Sequence, residues 1–277
     1  MQGKLYIVAT PIGNLDDITL RAIKILKEAD IIAAEDTRHT LKLLNHLEIS
    51  KPLISYHRHN EEVKTEELIN KLLEGKDIAL VSDAGTPAIS DPGAEAVKEA
   101  INNNIEVIPI PGACAAITAL IASGMDTKEF TFIGFLPQNK KNRKEKLEQI
   151  EKEERTIILY EAPHKLLKTL EDLKDILQQR KVVLARELTK IHEEYITGTI
   201  EELEKEIKVP KGEYVIIIEK NDINQKKLEQ MKLLELSIEE QYTYYKAQGM
   251  EKKEIIKQIA KTRNVNKNEI YKKFIKA

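Results

Sequence analysis

Short apolar runs alternate with amphipathic stretches through the first half of the chain. The runs Leu5–Ala9, Ile31–Ala34, Ile78–Val81 and Val107–Ile110 are continuous rather than alternating, which predicts strands buried on both faces. Between them, Leu20, Ile23 and Leu26, and again Leu68, Ile69, Leu72 and Leu73, recur at helical spacing. Strand–helix alternation of this kind predicts an α/β domain with a parallel sheet covered by helices. Ligands of such sheets sit outside the carboxyl ends of the strands. The unusual loops fall there: Thr10-Pro11-Ile12-Gly13-Asn14, Glu35-Asp36-Thr37-Arg38, Ser82 to Gly93, and Pro111-Gly112.

After Gly124 the pattern changes. Strand candidates at Phe130–Phe135, Thr156–Tyr160, Val182–Ala185, Glu194–Thr199 and Tyr214–Ile218 come with fewer helices between them, predicting a second α/β domain with a mixed sheet. The expected division is residues 1–123, residues 124–222, and a helical tail over residues 223–277 that turns helical from about Asn224. In that tail an amphipathic stretch begins at Met250 and ends near Asn264, and a second runs from Asn268 to Ile275. The pair resembles a helix–turn–helix unit.

Charge sharpens the division. The 277 residues are 42% hydrophobic and 32% charged, enough for a sizeable core, and the formal net charge of -2 names no partner. Residues 225–277, however, hold 13 basic and 7 acidic side chains, so an acidic body carries a basic tail suited to a phosphate-rich partner. The single cysteine, Cys114, excludes disulfides within the chain, Cys-rich zinc sites and a CxxC redox pair. No metal site is expected. The 11 glycines are never closer than eight residues apart, which excludes GxGxxG and Walker-type loops, and HExxH is absent. No signal peptide is expected ahead of the strand-like segment from Lys4. The longest uncharged stretch, 19 residues from Val107 to Met125, is broken by prolines and glycines and reads as a strand entering a buried helix. The expectation is a cytoplasmic protein with no membrane span.

Five loops can carry chemistry. Ser82-Asp83-Ala84-Gly85-Thr86-Pro87-Ala88-Ile89-Ser90-Asp91-Pro92-Gly93 crowds glycines, prolines, hydroxyls and carboxylates behind a buried strand. Its first part is expected to approach a ligand and its last part, Asp91-Pro92-Gly93, to cap a helix. Pro111-Gly112-Ala113-Cys114-Ala115-Ala116 opens a small-residue helix with room for a planar group, or simply for close helix–sheet packing; Cys114 reads as a small hydrophobe. Tyr56-His57-Arg58-His59-Asn60 lacks a third metal ligand and reads as a substrate-facing or solvated loop. Glu35-Asp36-Thr37-Arg38 is either an internal ion pair or a substrate-positioning group. Gln138 to Lys144 reads as an exposed basic loop able to meet phosphates.

In order along residues 1–220, the strings PIGN, EDTR, SDAGTPAISDPG, PGACAA, GFLP, LYEAPHK and RELTK resemble the bacterial ribosomal RNA small-subunit methyltransferase I family, whose members have the two-domain tetrapyrrole-methylase (class III methyltransferase) fold. The resemblance implies S-adenosylmethionine held between the two domains without a glycine-rich loop. By the family pattern it would meet Pro11, then Asp83, Gly85, Thr86 and Ile89 after the third strand, then Cys114 and Ala115 after the fourth, with Glu161 and Leu188 from the second domain. It further implies methylation of the ribose 2′-hydroxyl of a cytidine (cytidine 1402) of 16S rRNA in the 30S subunit, and a homodimer. Asp36, Glu187 and Lys190 are candidates for handling the hydroxyl proton, and Arg38 for gripping a phosphate. Lys140, Lys141, Arg143 and Lys144 are the expected RNA contacts. Two competing readings are a tetrapyrrole C-methylase, which has no use for a basic tail, and a non-enzymatic RNA-binding assembly factor, which has no use for the cofactor.

Overall fold

In the computed structural model, which describes residues 1–177, 179–221 and 231–275, the first three continuous apolar runs become the interior of a parallel sheet, while Val107–Ile110, expected to be buried on both faces, lies at its edge with Pro109 exposed. Strands β1 (Leu5–Val8), β2 (Ile31–Ala34), β3 (Leu53–Ser55), β4 (Ile78–Val81) and β5 (Val107–Ile110) are ordered β3-β2-β4-β1-β5. Every neighbouring pair is parallel, with Leu5 in register with Ile78 on one side and Val107 on the other. Alternate residues of a strand serve opposite faces. Leu80 joins Leu5, Leu68 and Leu72 in one core, while Ala79 and Val81 join Leu26, Ile32 and Leu44 in another. Each fully buried leucine contributes roughly 1.5–3 kcal/mol of transfer free energy.

Helices α1 (Leu20–Glu28), α2 (Thr37–His46), α3 (Glu61–Leu73), α4 (Ala94–Asn102) and α5 (Ala115–Ala122) connect or follow these strands. Strand β3 was not foreseen. Its three half-buried residues are too few to show a period, and Pro52 precedes them. The Ser82–Gly93 loop therefore follows the fourth strand, not the third, and Pro111-Gly112 follows the fifth.

The second sheet is mixed, as expected. Its strands β6 (Phe130–Phe135), β7 (Thr156–Glu161), β8 (Val182–Arg186), β9 (Glu194–Gly198) and β10 (Tyr214–Ile218) are ordered β6-β7-β10-β8-β9. Only β6 and β7 run parallel. Helices α6 (Lys140–Lys152), α7 (Pro163–Leu177) and α8 (Ile200–Glu206) accompany it. One face packs on α7 and α8 through Leu166, Leu170, Leu173 and Leu203. The other receives α5, whose Ala116, Ala119 and Leu120 lie against Ile158, Val183, Val215 and Ile217. The small residues after Pro111 thus let a helix that follows the first sheet sit closely on the second, and residues Met1–Lys220 form one compact unit.

A second unit, Asn221–Ala277, contains helices Ile238–Ala247, Lys252–Arg263 and Lys267–Ile275. Ser237 and Glu240 close a capping box at the first, and Asn264 ends the second in the left-handed conformation at φ 52°. Tyr245, Ile255, Ile256, Ile259 and Ile270 fill their common core. The expected start of the tail near Asn224 lies outside the described residues. Among the described residues, no helix is long and apolar enough to cross a membrane.

Candidate functional site

A cavity of about 620 Å³ opens at the carboxyl ends of the first sheet's strands. Ile12 reaches it from behind β1, Glu35 from β2, Asp83 to Thr86 and Ile89 to Asp91 from β4, and Cys114 and Ala115 from β5. The second sheet closes it with Phe135, Tyr160, Glu161, Glu187, Leu188, Lys190 and Gly212 to Val215.

Local bonding explains why the long loop holds its shape. Thr10 and Gly85 exchange backbone hydrogen bonds at 2.9 and 3.1 Å, tying the loops behind β1 and β4 together. Thr86 donates its hydroxyl to the carbonyl of Ala113 at 3.0 Å, fixing the loop to the entry of α5. Gly85 sits at φ 83°, and a Cβ there would lie 3.1 Å from Ile12 Cγ2, so only glycine fits without strain. Ala88, Ser90, Glu187 and Thr189, all in loops at the cavity, also have positive φ, at 67°, 64°, 51° and 66°. Non-glycine residues held this way cost of order 1–3 kcal/mol each and persist where the surroundings over-determine them.

Most of the residues singled out from the sequence line this cavity: Asp83, Gly85, Thr86, Ile89, Cys114, Ala115, Glu161, Glu187, Leu188 and Lys190. Pro11 is not among them; it is buried, and its neighbour Ile12 lines the space instead. Asp36 and Arg38 also stand outside the lining. Asp36 caps α2, accepting the backbone N–H of Arg38 at 2.9 Å, and grips the same residue's guanidinium at 3.1 and 2.8 Å. Those bonds hold the Asp36 carboxyl down at about 2, the hydrogen bond from the Arg38 side chain contributing most. The internal ion pair is therefore formed, and Asp36 is a weak proton acceptor there.

Two further expectations change. The segment Lys140 to Lys144 is the first turns of α6, not a loop, because Asn139 accepts the N–H groups of Lys141 and Asn142 at 3.0 and 3.2 Å. Lys140, Lys141 and Lys144 are exposed on it. Arg143 turns inward to Asp172 at 2.7 Å and to the Thr169 hydroxyl at 2.8 Å, unlike the three lysines. The cap expected of Asp91-Pro92-Gly93 falls on its last residue rather than on the Asp91 side chain. Gly93, at φ 133°, is the N-cap residue, and its N–H goes to the Glu61 carboxylate at 3.0 Å. Asp91 is left facing the cavity.

The lining is rich in carboxylates whose environments differ. Asp83 accepts the N–H of Asp36 at 2.9 Å. Glu161 is buried and accepts the Thr169 hydroxyl at 2.5 Å and the N–H of Ala162 at 2.9 Å. Glu187 pairs with Lys190 at 3.1 Å. Burial, then the charge of Asp83, pushes Glu35 up. Burial, then Glu35, pushes Asp91 up to about 7. Among the described residues no group of His, Cys, Asp and Glu side chains is arranged to hold a metal ion.

The sequence reading missed Tyr160, Phe135, Glu213 and Tyr214 as lining residues. Tyr160 accepts the N–H of Ala116 at 3.0 Å and meets Phe135 edge-on at 5.7 Å. A usable signal existed, since aromatic residues end two of the second sheet's strands inside the GFLP and LYEAPHK strings.

Residues 4–204 match the model of the Tetrapyrrole (Corrin/Porphyrin) Methylases. The chain is 53% identical over 273 residues to the Ribosomal RNA small subunit methyltransferase I of Halalkalibacterium halodurans, covering 98% of this chain and 94% of that one. It is 48% identical over 274 residues to the protein of the same name from Bacillus subtilis, covering 97% and 93%. The uroporphyrin-III C-methyl transferase of Thermus thermophilus complexed with S-adenyl homocysteine shares the fold at a TM-score of 0.57 and 16% identity, over 78% of this chain and 97% of that one.

Proposed function

The chain belongs to the ribosomal RNA small subunit methyltransferase I family, within the tetrapyrrole methylases, and from that premise we propose that it methylates 16S rRNA using S-adenosylmethionine. The target we assign is the ribose 2′-hydroxyl of cytidine 1402, presented in the 30S subunit to a homodimer of this chain in the cytoplasm. The observation that carries the reading is the cavity itself, with its size, its carboxylate lining and its place at the strand ends.

The residues present fit the cofactor. A volume of about 620 Å³ accommodates a nucleoside with an amino-acid arm, since ligand pockets span roughly 300–1,000 Å³. Ile12, Ala115, Leu188 and Val215 offer apolar contact to a purine, and the Ala84–Gly85 backbone allows close approach. The carboxylates of Asp83, Glu187 and Glu213 favour a ligand bearing sulfonium and ammonium charges. When bound, S-adenosylmethionine supplies an electrophilic methyl carbon.

The chain's own contribution is mainly alignment. Loops held at positive φ fix the lining so that an incoming hydroxyl meets one geometry, and such positioning is worth up to roughly 7–11 kcal/mol of a barrier. Phe135, half exposed beside Tyr160, offers a face for a base or sugar. Lys140, Lys141 and Lys144, together with the exposed Arg38 guanidinium, supply cationic contacts for phosphates.

The reading is tested by incubating purified protein and cofactor with 30S particles from a strain lacking the enzyme, then mapping methylated nucleosides in the 16S rRNA by mass. A single added methyl on the ribose of cytidine 1402 is expected. Methyl on a base, on another nucleotide, or only on tetrapyrroles in a parallel assay, refutes it.

A further inference from the structure

We propose that Asp91 is the catalytic base of this site, taking the proton of the ribose hydroxyl as its oxygen attacks the methyl carbon; this rests on the methyltransferase reading above. The first ground is what the cavity's other carboxylates are doing. Asp83 holds a backbone N–H, Glu161 is saturated by Thr169 and Ala162, and Glu187 is paired with Lys190. Glu35 stands beside the charge of Asp83, and Glu213 is exposed. Asp91 faces the cavity half-buried and accepts no hydrogen bond from the described residues. A carboxylate in that condition has its oxygens free to accept a hydrogen bond from a substrate hydroxyl.

The second ground is how firmly the residue is placed. Ser90 precedes it at φ 64°, and the N–H of Ala88 reaches across the turn to the carbonyl of Pro92 at 3.2 Å. Gly93 follows with its N–H on Glu61 at 3.0 Å. Arg58 donates from behind β3 to the carbonyl of Ser90. On the other side the turn meets the bulge of β6, where a Cβ on Gly134 would lie 2.8 Å from Ser90 Oγ. Three elements therefore clamp a strained turn that presents the Asp91 carboxylate to the site. Strain of this kind needs a purpose, and capping α4 with the Asp91 side chain is not one, because the N-cap is Gly93.

The chemistry balances with these parts alone. A lone pair of the 2′-oxygen forms the new oxygen–carbon bond while the carbon–sulfur bond breaks and its electron pair stays on sulfur, leaving a neutral thioether. The hydroxyl proton passes to an Asp91 carboxylate oxygen and then to water at the cavity mouth. The groups that set its basicity are Glu35 behind β2, Arg58 behind β3, Asp83 behind β4 and Glu213 before β10. Burial and the three carboxylates raise its proton affinity, and Arg58 opposes them, so the group is poised near neutrality.

Wild type, Asp91→Asn and Asp91→Glu are compared. In ligand-free protein, the Asp91 carboxyl carbon, identified as the resonance lost in Asp91→Asn, should titrate well above an ordinary aspartate, with a midpoint near pH 7. Calorimetric affinity for S-adenosylmethionine should change less than threefold in Asp91→Asn. Single-turnover methylation of 30S at saturating cofactor should rise with pH through neutrality in the wild type, fall about 10²–10⁴-fold in Asp91→Asn with loss of that inflection, and recover in part in Asp91→Glu. The assignment of Asp91 is overturned if Asp91→Asn keeps both rate and inflection, if its defect is in cofactor affinity alone, or if the carboxyl titrates near pH 4. A wild type that binds cofactor but methylates no 30S overturns the methyltransferase reading and this inference with it.

Discussion

Two aspartates near the cleft show how strongly the immediate surroundings set a residue's role. Asp36 is held at about 2 by Arg38, whose side chain is 87% exposed, so the pair is solvated and adds little stability. Asp91, pushed to about 7 by burial and by Glu35, works in the opposite direction. Its folded-state value lies above the ordinary 3.8, so the native protein binds more protons than the unfolded chain between roughly pH 4 and 7. The stability it confers is complete below pH 4 and lost as the pH rises through 7. Asp91→Asn, which stays neutral, should therefore melt higher than wild type at pH 8 and equally at pH 4, as followed by calorimetric scans at matched ionic strength. An equal offset at both pH values shows that the carboxyl does not titrate in this window. Stabilisation by removing the base is also what a site that trades stability for activity leads one to expect.

Helix α6 shows the same economy at the level of an element, because neighbouring side chains on it do different work. Arg143 faces inward to Asp172, both about one-sixth exposed, while Lys140, Lys141 and Lys144 face water. Arg143→Ala strips a charged hydrogen-bonding partner from Asp172 and should cost about 1–3 kcal/mol, a fall of several degrees in Tm, with 30S methylation unchanged at permissive temperature. Replacing the three lysines with glutamate should do the reverse. Tm and cofactor affinity should hold, while 30S methylation falls and its dependence on salt becomes shallower, as measured by initial rates at 50 and 200 mM salt. What the sequence revealed at this scale follows from physical range. Strands β1, β2 and β4 are readable because continuous apolar runs report burial on both faces, and β5 because its run is apolar although it lies at the sheet edge. Strand β3 is not, since its three residues carry no period. The chemistry-bearing loops are readable from their composition, yet Asp-Pro-Gly suits a helix cap locally, which hides the separate placement of the Asp91 side chain. The carboxylate that bonds Gly93 belongs to Glu61, 32 residues earlier, and no local pattern announces it. Tyr160 and Phe135 reach the cavity only because α5 docks on the second sheet, again a tertiary fact.

For the molecule as a whole, the charge asymmetry separates cofactor chemistry from RNA capture. Residues 1–224 carry 31 basic and 39 acidic side chains, and the cavity lining continues that excess with Glu35, Asp83, Asp91, Glu187 and Glu213. An acidic lining suits a sulfonium ligand and repels a polyphosphate backbone, so the rRNA must gain affinity elsewhere. The exposed lysines of α6 supply some of it. The 13 basic side chains of residues 225–277 are the larger reserve, on a unit with its own core of Tyr245, Ile255, Ile256, Ile259 and Ile270. Because residues 1–220 likewise pack around their own cores and contain every cavity-lining side chain, removing residues 221–277 should leave the site folded. Calorimetry should then find S-adenosylmethionine affinity within about twofold of the full chain, a difference of roughly 0.4 kcal/mol. Methylation of 30S at dilute enzyme should fall about tenfold or more in kcat/KM, and the plot of log rate against log salt should flatten because fewer counterions are released on binding. At enzyme concentrations that saturate the 30S particle, the single-turnover rate should return towards that of the full chain, since alignment at the methyl carbon belongs to the first unit. A truncated protein with full kcat/KM and an unchanged salt slope shows that the tail is no RNA anchor. One whose single-turnover rate stays low at saturation shows that the tail takes part in aligning the nucleotide as well as holding it.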